Sequence, residues 1–373
     1  MRQIDNAFNF HHLVSLQSII QVIFKYGIPY IKGADVPMKL CFGLFAAHEQ
    51  YDPKSLLTHA VLAEKCGFDT VWTSDHFHPW MHTNAQSGFA WVWIASTLER
   101  TKRVKVGTGV TAPIFRYHPA IVAQAFATLE FIYPRRVFLG LGTGEPMNET
   151  PLGYEWSNYK ERHDRLEEAI KIIRLLWTKE FVSFKGKYFR LHNANLYTKP
   201  TSPIPIYIAA CGPNTAYLAG KYADGFLTLP AAREKCEELF LAVERGAKDS
   251  GRDPLLIEKA IEVEVSYDHD IDKALRSAKF WSGVLFADLF NLAKVYDPRE
   301  IEGYGKIASE EALKNVWFIT SSIDELISEV EKYIRLGFTH IQFLSSSPSQ
   351  ERFIKTVGEK VIPYLKEVHG SNK

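Results

Sequence analysis

Short apolar runs alternate along this chain with amphipathic stretches of about 12 to 18 residues, beginning at Met38. Such alternation is typical of parallel strands joined by crossover helices. The runs predicted to be strands are Leu40–Phe45, Thr70–Ser74, Val104–Val110, Val137–Gly142, Ile206–Ala210, Gly225–Leu229, Ile261–Ser266 and His340–Leu344. Repeated βα units of this number predict an α/β fold, a single (β/α)8 TIM barrel with insertions.

An open, doubly wound sheet is the competing architecture for the same alternation. It is disfavoured because the first predicted strand is not followed by a G-x-G-x-x-G turn. With 373 residues and 46% hydrophobic composition, the chain can bury the core of one barrel, a fold of roughly 250 residues before insertions. We therefore expect one catalytic domain over residues 38–373.

Amphipathic periodicity predicts a helix over Tyr159–Thr178, and Ser322–Glu325 has the pattern of a capping box opening a helix that runs to Leu336. Two segments interrupt the repeat. Phe181–Leu191 is predicted to be a hairpin, and Trp281–Lys314 is a long aromatic-rich insertion. Long insertions in compact domains are often functional lids.

Residues 1–37 precede the first predicted strand. Their apolar stretch, Leu13–Phe24, is too short and too interrupted by polar residues to span a bilayer, and a small-residue cleavage site does not follow it. We expect an N-terminal extension that is not part of the fold, with a peripheral helix as the alternative.

The charge of the chain limits the classes of partner that we expect, and its cysteine content indicates the cellular location. The formal net charge is +1, from 44 basic and 43 acidic residues, which gives no electrostatic footprint for nucleic acid or an anionic membrane. A small-molecule partner is expected. The four cysteines, Cys41, Cys66, Cys211 and Cys236, are too widely spaced for a C-x-x-C pair, and we predict a reducing, cytoplasmic location.

Polar residues follow the second predicted strand, where a barrel assembles its active site. Ser74–Trp80 holds a carboxylate, two imidazoles and an indole within seven residues. His76 is a candidate base because histidine titrates near neutral pH and can take a hydroxyl proton. The structural alternative is a helix cap with packing aromatics.

Two further strand ends carry candidate chemistry. Gly140–Glu149 follows strand four, and its spacing fits a dinucleotide fingerprint poorly; its glycines suit close approach to a flat ring, with Glu145 as a carboxylate in the pocket. Tyr207–Thr215 leads directly into a helix, whose first N–H groups suit a phosphate. A plain turn with Pro213 at the first helical position is the alternative.

A metal-dependent hydrolase would use histidines instead. His76, His78 and His82 are possible zinc ligands. They lie in the loop after strand two rather than on a strand, and later strand ends offer no obvious His or Asp set. We therefore predict no metal.

Several blocks in the same order resemble the F420-dependent branch of the luciferase-like barrel superfamily, in particular the F420-dependent alcohol dehydrogenases and glucose-6-phosphate dehydrogenases. The resemblance extends from Met38 to about Tyr364. The blocks are Glu49–Pro53, Ser74–Trp80, Phe115–Pro119, Ala123–Thr128, Gly142–Glu145, Met147–Glu149 and Ala209–Pro213.

This resemblance implies that His76 accepts the substrate hydroxyl proton, with Trp80 and Glu145 completing the catalytic set. Asp75 would contact the deazaflavin of coenzyme F420, and Gly109-Val110 would carry the family's non-prolyl cis peptide. The residues implied to line the cofactor and its phosphate are Thr143, Gly144, Asn148, Cys211, Gly212, Asn214 and Thr215. Cys211 stands where the sugar-phosphate enzymes usually have glycine. The resemblance also implies a homodimer.

Substrate choice depends on what would hold a phosphate. The similar glucose-6-phosphate enzymes have a lysine after strand six and an arginine before the tryptophan matching Trp317; here the stretches read Pro230-Ala-Ala-Arg233 and Asn315-Val316-Trp317. Losing these cations favours a small, secondary alcohol as hydride donor, although Arg233 or Lys294 are partial substitutes. The alternatives are glucose-6-phosphate or another sugar, and an FMN-dependent luciferase-like monooxygenase.

Overall fold

The computed structural model describes residues 40–370, which belong to one compact unit. The predicted extension at 1–37 lies outside the described residues. The strands are β1 Cys41–Ala46, β2 Thr70–Thr73, β3 Lys105–Thr108, β4 Val137–Leu141, β5 Val182–Lys185, β6 Arg190–Ala194, β7 Ile206–Ala209, β8 Gly225–Thr228, β9 Glu258–Tyr267, β10 Phe318–Thr320 and β11 His340–Ser345.

Helices surround these strands. The α-helices are α1 Pro53–Lys65, α2 Ala90–Arg100, α3 Pro119–Ile132, α4 Pro146–Glu149, α5 Tyr159–Thr178, α6 Pro213–Tyr222, α7 Arg233–Asp249, α8 Ile271–Ala278, α9 Ala287–Ala293, α10 Pro298–Ile307, α11 Glu310–Val316, α12 Ile323–Leu336, α13 Gln350–Thr356 and α14 Ile362–His369. Among the described helices, none is long and apolar enough to cross a membrane.

Eight parallel strands close into the predicted barrel. Their order is β9-β11-β1-β2-β3-β4-β7-β8, and β9 pairs with β8 to complete the ring. The seventh predicted strand is longer than expected, beginning at Glu258 rather than Ile261, and β3 ends at Thr108, before the predicted Val110. The short β10, which pairs with β9 outside the ring, was not predicted.

The predicted helix over Tyr159–Thr178 and the helix ending at Leu336 are confirmed. Half of the capping box forms: Ser322 Oγ accepts from the Glu325 N–H at 3.3 Å, whereas the Ser322 N–H donates to Thr320 Oγ1 at 3.0 Å instead of to Glu325. The hairpin also forms, with its second strand ending at Ala194 rather than Leu191.

Inward and outward positions alternate along β9. Ile261 and Val263 pack in the outer core with the helices, whereas Ala260 belongs to the cluster inside the barrel. The period of two therefore turns Glu258, Glu262 and Glu264 inward as well.

A polar cluster closes the amino end of the barrel. His340 Nδ1 contacts Glu258 Oε1 at 2.9 Å, and its Nε2 lies 2.8 Å from Thr70 Oγ1. The Tyr207 hydroxyl donates to Glu258 Oε2 at 2.6 Å. These polar contacts lower the cost of burying the imidazole, carboxyl and hydroxyl groups at the barrel floor.

The insertion at 281–314 is helical and packs over the carboxyl end of the barrel. Trp281 stacks on Trp317 with ring centroids 5.8 Å apart. Glu302 accepts hydrogen bonds from the backbone N–H groups of His82 and Thr83 at 3.0 and 2.7 Å. The insertion is thereby tied to the loop that follows β2.

Helices α6 and α7 approach closely at two glycines. A Cβ added at Gly220 would lie 2.0 Å from the carbonyl oxygen of Val243, and one added at Gly246 would lie 2.0 Å from that of Tyr217. Backbone atoms cannot yield as a flexible side chain can, so the position of α6 depends on these glycines.

We predict that Gly220→Ala destabilises the protein by about 1–3 kcal/mol because the helices must separate. Gly303→Ala in α10 is the matched control, since its Cβ would meet nothing within 4 Å; there alanine should add about 0.5–1 kcal/mol. Denaturant unfolding measures both. Equal effects of the two substitutions would contradict the close packing.

Candidate active site

His76 lies between two carboxylates at the carboxyl end of the barrel. Its Nδ1 is 2.6 Å from Glu49 Oε1, and its Nε2 is 3.2 Å from Glu145 Oε2. Glu49 follows β1, His76 follows β2 and Glu145 follows β4. Three strand ends therefore meet at one imidazole, as a barrel active site requires.

Local hydrogen bonds hold the Glu49 side of this group in place. Ser74 Oγ donates to Glu49 Oε2 at 2.8 Å and accepts from the His48 N–H at 3.0 Å. The Ser87 hydroxyl donates to the backbone carbonyl of His76 at 2.6 Å. Glu49 is 1% exposed, so this carboxylate cannot turn away to solvent.

Asn148 holds the other side. Its amide nitrogen donates to Glu145 Oε2 at 3.2 Å, and its amide oxygen accepts from the Phe77 N–H at 2.8 Å. Trp80 is nearly buried and meets the His76 ring edge to face, with centroids 6.3 Å apart. The predicted catalytic residues His76, Trp80 and Glu145 are therefore neighbours.

The two carboxylates beside His76 determine its protonation. Burial disfavours the charged imidazole, but the adjacent Glu49 and Glu145 carboxylates outweigh it and raise the pKa of His76 to about 10. Burial likewise opposes ionisation of Glu49, yet the charge and hydrogen bond of His76 hold the pKa of Glu49 below its usual value. The three groups form a charged cluster in which His76 holds a proton at neutral pH.

The Asp75 carboxylate is bound by neighbouring side chains of the protein. Thr111 Oγ1 and the Tyr117 hydroxyl donate to its carboxylate at 2.6 and 3.1 Å, and Arg116 Nη2 lies 3.3 Å away. Arg116 also donates its backbone N–H to Glu149, at 2.9 Å. Contact between Asp75 and a cofactor stays a prediction.

The Gly109–Val110 peptide bond is cis, as the resemblance implied. Opposite it runs the segment after β4, in which Gly144 has a φ of +72°. A Cβ added at Gly142 would lie 2.6 Å from Val110. Thr143 and Gly144 are partly accessible beside this segment, so both predicted cofactor residues lie at the barrel mouth.

The third predicted strand end opens into α6. Gly212 precedes the helix, and a Cβ added there would meet nothing within 4 Å. Thr215 is buried, with its hydroxyl 2.8 Å from that of Tyr159, whereas Cys211 and Asn214 are exposed. The backbone N–H groups at this helix start can donate hydrogen bonds to an anion.

Sequence reasoning gave no role to three acidic residues near this site. Glu49 belongs to a block that carried the resemblance, and Glu262 and Glu264 point into the barrel from β9. The charge of Glu262 interacts with those of Glu49, His76 and Glu145. The available signal was the alternation of glutamates with valines in one of the predicted parallel strands, because parallel strands are usually buried on both faces.

The two β9 glutamates retain protons to unusually high pH. Burial, followed by the charges of Glu264 and Glu49, raises the pKa of Glu262 well above its usual value. Burial raises the pKa of Glu264 to about 8. Burial and the charges of Asp288, Glu264 and Glu262 raise the pKa of the Cys211 thiol.

The histidines proposed for a metal do not converge. His76 is engaged by carboxylates, and His78 Nδ1 lies 3.3 Å from the backbone oxygen of Tyr296. Within residues 40–370, the group of three possible metal ligands within reach of one another is Cys41, Glu258 and His340, at the amino end of the barrel.

A closed barrel with an acid–base centre at the carboxyl ends of its strands defines a (β/α)8-barrel enzyme. The chain matches the luciferase-like monooxygenase family over residues 40–340, and it belongs to that family.

Three similar proteins have named activities. F420-dependent glucose-6-phosphate dehydrogenase from Intrasporangium calvum is 42% identical over 330 residues, covering 87% of this chain and 98% of the relative. That from Mycolicibacterium smegmatis is 39% identical over 335 residues, covering 88% and 99%. An F420-dependent secondary alcohol dehydrogenase, solved with an F420-acetone adduct, is 43% identical with a TM-score of 0.84, covering 87% and 99%.

We predict that Glu49→Gln and Glu145→Gln each lower the pKa of His76, because each removes a negative charge that favours the imidazolium. NMR titration of the His76 ring in the protein without substrate measures this. Glu49→Gln should have the larger effect, since Glu49 is closer and more buried. Exposed Glu234→Gln on α7 is the control, and an unchanged His76 titration in both site variants would refute the charged cluster.

Glu264 should make stability fall with rising pH. The folded protein keeps the Glu264 proton up to about pH 8, whereas the unfolded chain loses it near pH 4.3. The free energy of unfolding therefore decreases as the pH rises from about 4.3 to about 8. Glu264→Gln cannot ionise and should show a smaller loss of Tm between about pH 5 and 8. Glu234→Gln should follow the unmodified protein; parallel Tm curves for all three would contradict the raised pKa.

Proposed function

We propose that the protein is an F420-dependent dehydrogenase that oxidises a small, uncharged secondary alcohol. The relatives of known name support the cofactor and the reaction class. The single observation that favours a neutral alcohol is the pair of inward-facing glutamates on β9, which lie beside the His76 cluster.

The described residues fit this cofactor. Gly109 and Val110 with Gly144 offer a backbone wall for a flat ring, and the open start of α6 at Gly212 offers N–H donors for a phosphate. A cavity of about 840 Å³ adjoins Thr215 through Tyr159 and contains Arg162 and Arg165, which suit the anionic part of a ligand. When bound, the deazaflavin accepts a hydride from the carbinol carbon.

His76 would accept the hydroxyl proton at Nε2, the ring nitrogen that faces Glu145. Glu49 would hold the proton on Nδ1 and keep the ring oriented. Trp80 would form one wall of the pocket. Glu145, which Asn148 orients, would give up its contact with His76 Nε2 when the substrate hydroxyl binds there. Because His76 is protonated at neutral pH, alcohol oxidation should accelerate with rising pH, and ketone reduction should start from the protonated ring.

A phosphate dianion suits this pocket poorly. Glu262 and Glu264 face the barrel interior, Glu262 is bonded to the neutral Gln342 amide, and within residues 40–370 no lysine or arginine acts on either carboxyl, so charge-assisted contacts to a phosphate dianion are lacking. Arg233, considered as a substitute cation, is exposed and pairs with Glu237 at 3.5 Å. Lys294 is likewise exposed. Glucose-6-phosphate is the second candidate because the similar curated relatives carry that name.

The purified protein is predicted to reduce F420 with 2-propanol or 2-butanol, and far more slowly with glucose-6-phosphate. The absorbance change of F420 measures this. His76→Ala should abolish turnover while F420 affinity, followed by fluorescence titration, stays largely intact, because the ring acts on the substrate.

Efficient turnover with glucose-6-phosphate and none with alcohols would contradict the alcohol assignment. Oxygen-dependent turnover with FMN alone would contradict the whole proposal and favour the monooxygenase. The homodimer and the cytoplasmic location stay predictions.

A further inference from the structure

Several buried polar groups without partners lie together on the β9 and β11 side of the barrel. Glu264 is 5% exposed and has no side-chain hydrogen bond to another residue in the described part of the chain. Gln342 is fully buried, and its Oε1 has no partner among residues 40–370. Buried polar groups in folded proteins are nearly always satisfied, so such a concentration points to a ligand.

Strand register brings these groups to one place. Glu262 pairs with Gln342, and Glu264 with Leu344, between β9 and β11. Gln342 Nε2 donates to Glu262 Oε2 at 3.2 Å, which leaves the Gln342 oxygen free. The side chains of Glu262, Glu264 and Gln342 point into the barrel. The residues that alternate with them along β9 and β11 pack in the outer core with the helices.

A donor completes the group. Phe318 pairs with Val265, so the preceding residue, Trp317, lies at the register position of Glu264. Trp317 is 1% exposed, and its Nε1–H has no partner among the described residues. The region thus offers an indole donor, an amide acceptor and carboxyl groups that both donate and accept when protonated.

The region also adjoins the His76 cluster. Glu264 pairs with Leu344, and Leu344 pairs with Phe45 of β1, the strand that leads to Glu49. The charge of Glu262 also interacts with those of Glu49, His76 and Glu145. A substrate that places one oxygen at His76 can therefore reach toward β9 with a neighbouring group.

We infer that Glu262, Glu264, Gln342 and Trp317 form a subsite for a second hydroxyl group of the substrate, which is therefore an uncharged diol or polyol. This inference rests on the proposed alcohol oxidation. A hydroxyl both donates and accepts, and it matches protonated carboxyl groups beside an amide oxygen and an indole N–H. An ammonium group would need an ionised carboxylate, and a phosphate dianion would need a cationic partner.

The test compares substrates with one carbon skeleton: 2-butanol, 2,3-butanediol and 3-amino-2-butanol, with glucose-6-phosphate as the charged alternative. F420 reduction gives kcat and KM separately for each. We expect kcat/KM for the diol to exceed that for 2-butanol by roughly tenfold to a hundredfold, mainly through KM, because a site built for a hydroxyl is left unpaired by the analogue lacking it.

Glu264→Leu should reduce this diol preference to about one, and Glu264→Gln should retain part of it because an amide also donates and accepts. Thermal unfolding checks that both variants fold. Exposed Glu234→Gln is the matched control and should keep the ratio of the unmodified protein.

Equal kcat/KM for 2-butanol and the diol, or a preference that survives Glu264→Leu, would overturn the subsite while leaving alcohol oxidation intact. A preference for 3-amino-2-butanol would overturn the hydroxyl assignment. Oxidation of glucose-6-phosphate without any alcohol turnover would overturn the proposed function and this inference with it.

Discussion

The contact of one imidazole with two carboxylates is the interaction on which the site depends. His76 meets Glu49 at 2.6 Å and Glu145 at 3.2 Å, and each of the three residues follows a different strand. The contact exists only when β1, β2 and β4 take their places in the closed barrel. Ser74 and Asn148 then hold the two carboxylates. Barrel closure thus sets both the geometry and the protonation of the candidate base.

A second constraint comes from charges on β9. Burying Glu262 and Glu264 beside this cluster is costly, and both carboxyls avoid part of the cost by staying protonated. Under the proposed function, their position would allow a chain similar to sugar-phosphate enzymes to bind a neutral substrate. The same barrel would then keep an acid–base centre at His76, while inward positions of β9 would determine which substrates react there.

Most of the fold could be predicted from the sequence because its strands and helices have recognisable local patterns of apolar and polar residues. Eight apolar runs, Tyr159–Thr178 and the Ser322 cap all form near the expected positions. The amino end of β9 was missed because Glu258 and Lys259 are polar, although Glu258 contacts His340 of the neighbouring strand β11. Such a bond joins residues far apart in sequence and leaves no local pattern.

Site residues could be predicted from the sequence where distinctive residue types follow a strand. They could not be predicted where only tertiary contacts determine the role of the residue. His76, Trp80 and Glu145 stood out at strand ends and do lie together. Glu49 gained its importance only from its contact with His76, and Glu262 from facing inward. Asp75 and Asn148, expected at the cofactor, also bind protein partners, namely Thr111 and Glu145.

A crystal structure of the protein with F420 and 2-butanone bound tests the central claim most directly. We expect the ketone oxygen to lie within hydrogen-bond distance of His76 Nε2, His76 Nδ1 to remain in contact with Glu49, and the flat cofactor ring to lie against Gly109–Val110. A cofactor bound away from these residues, or a ketone oxygen facing another group, would contradict it.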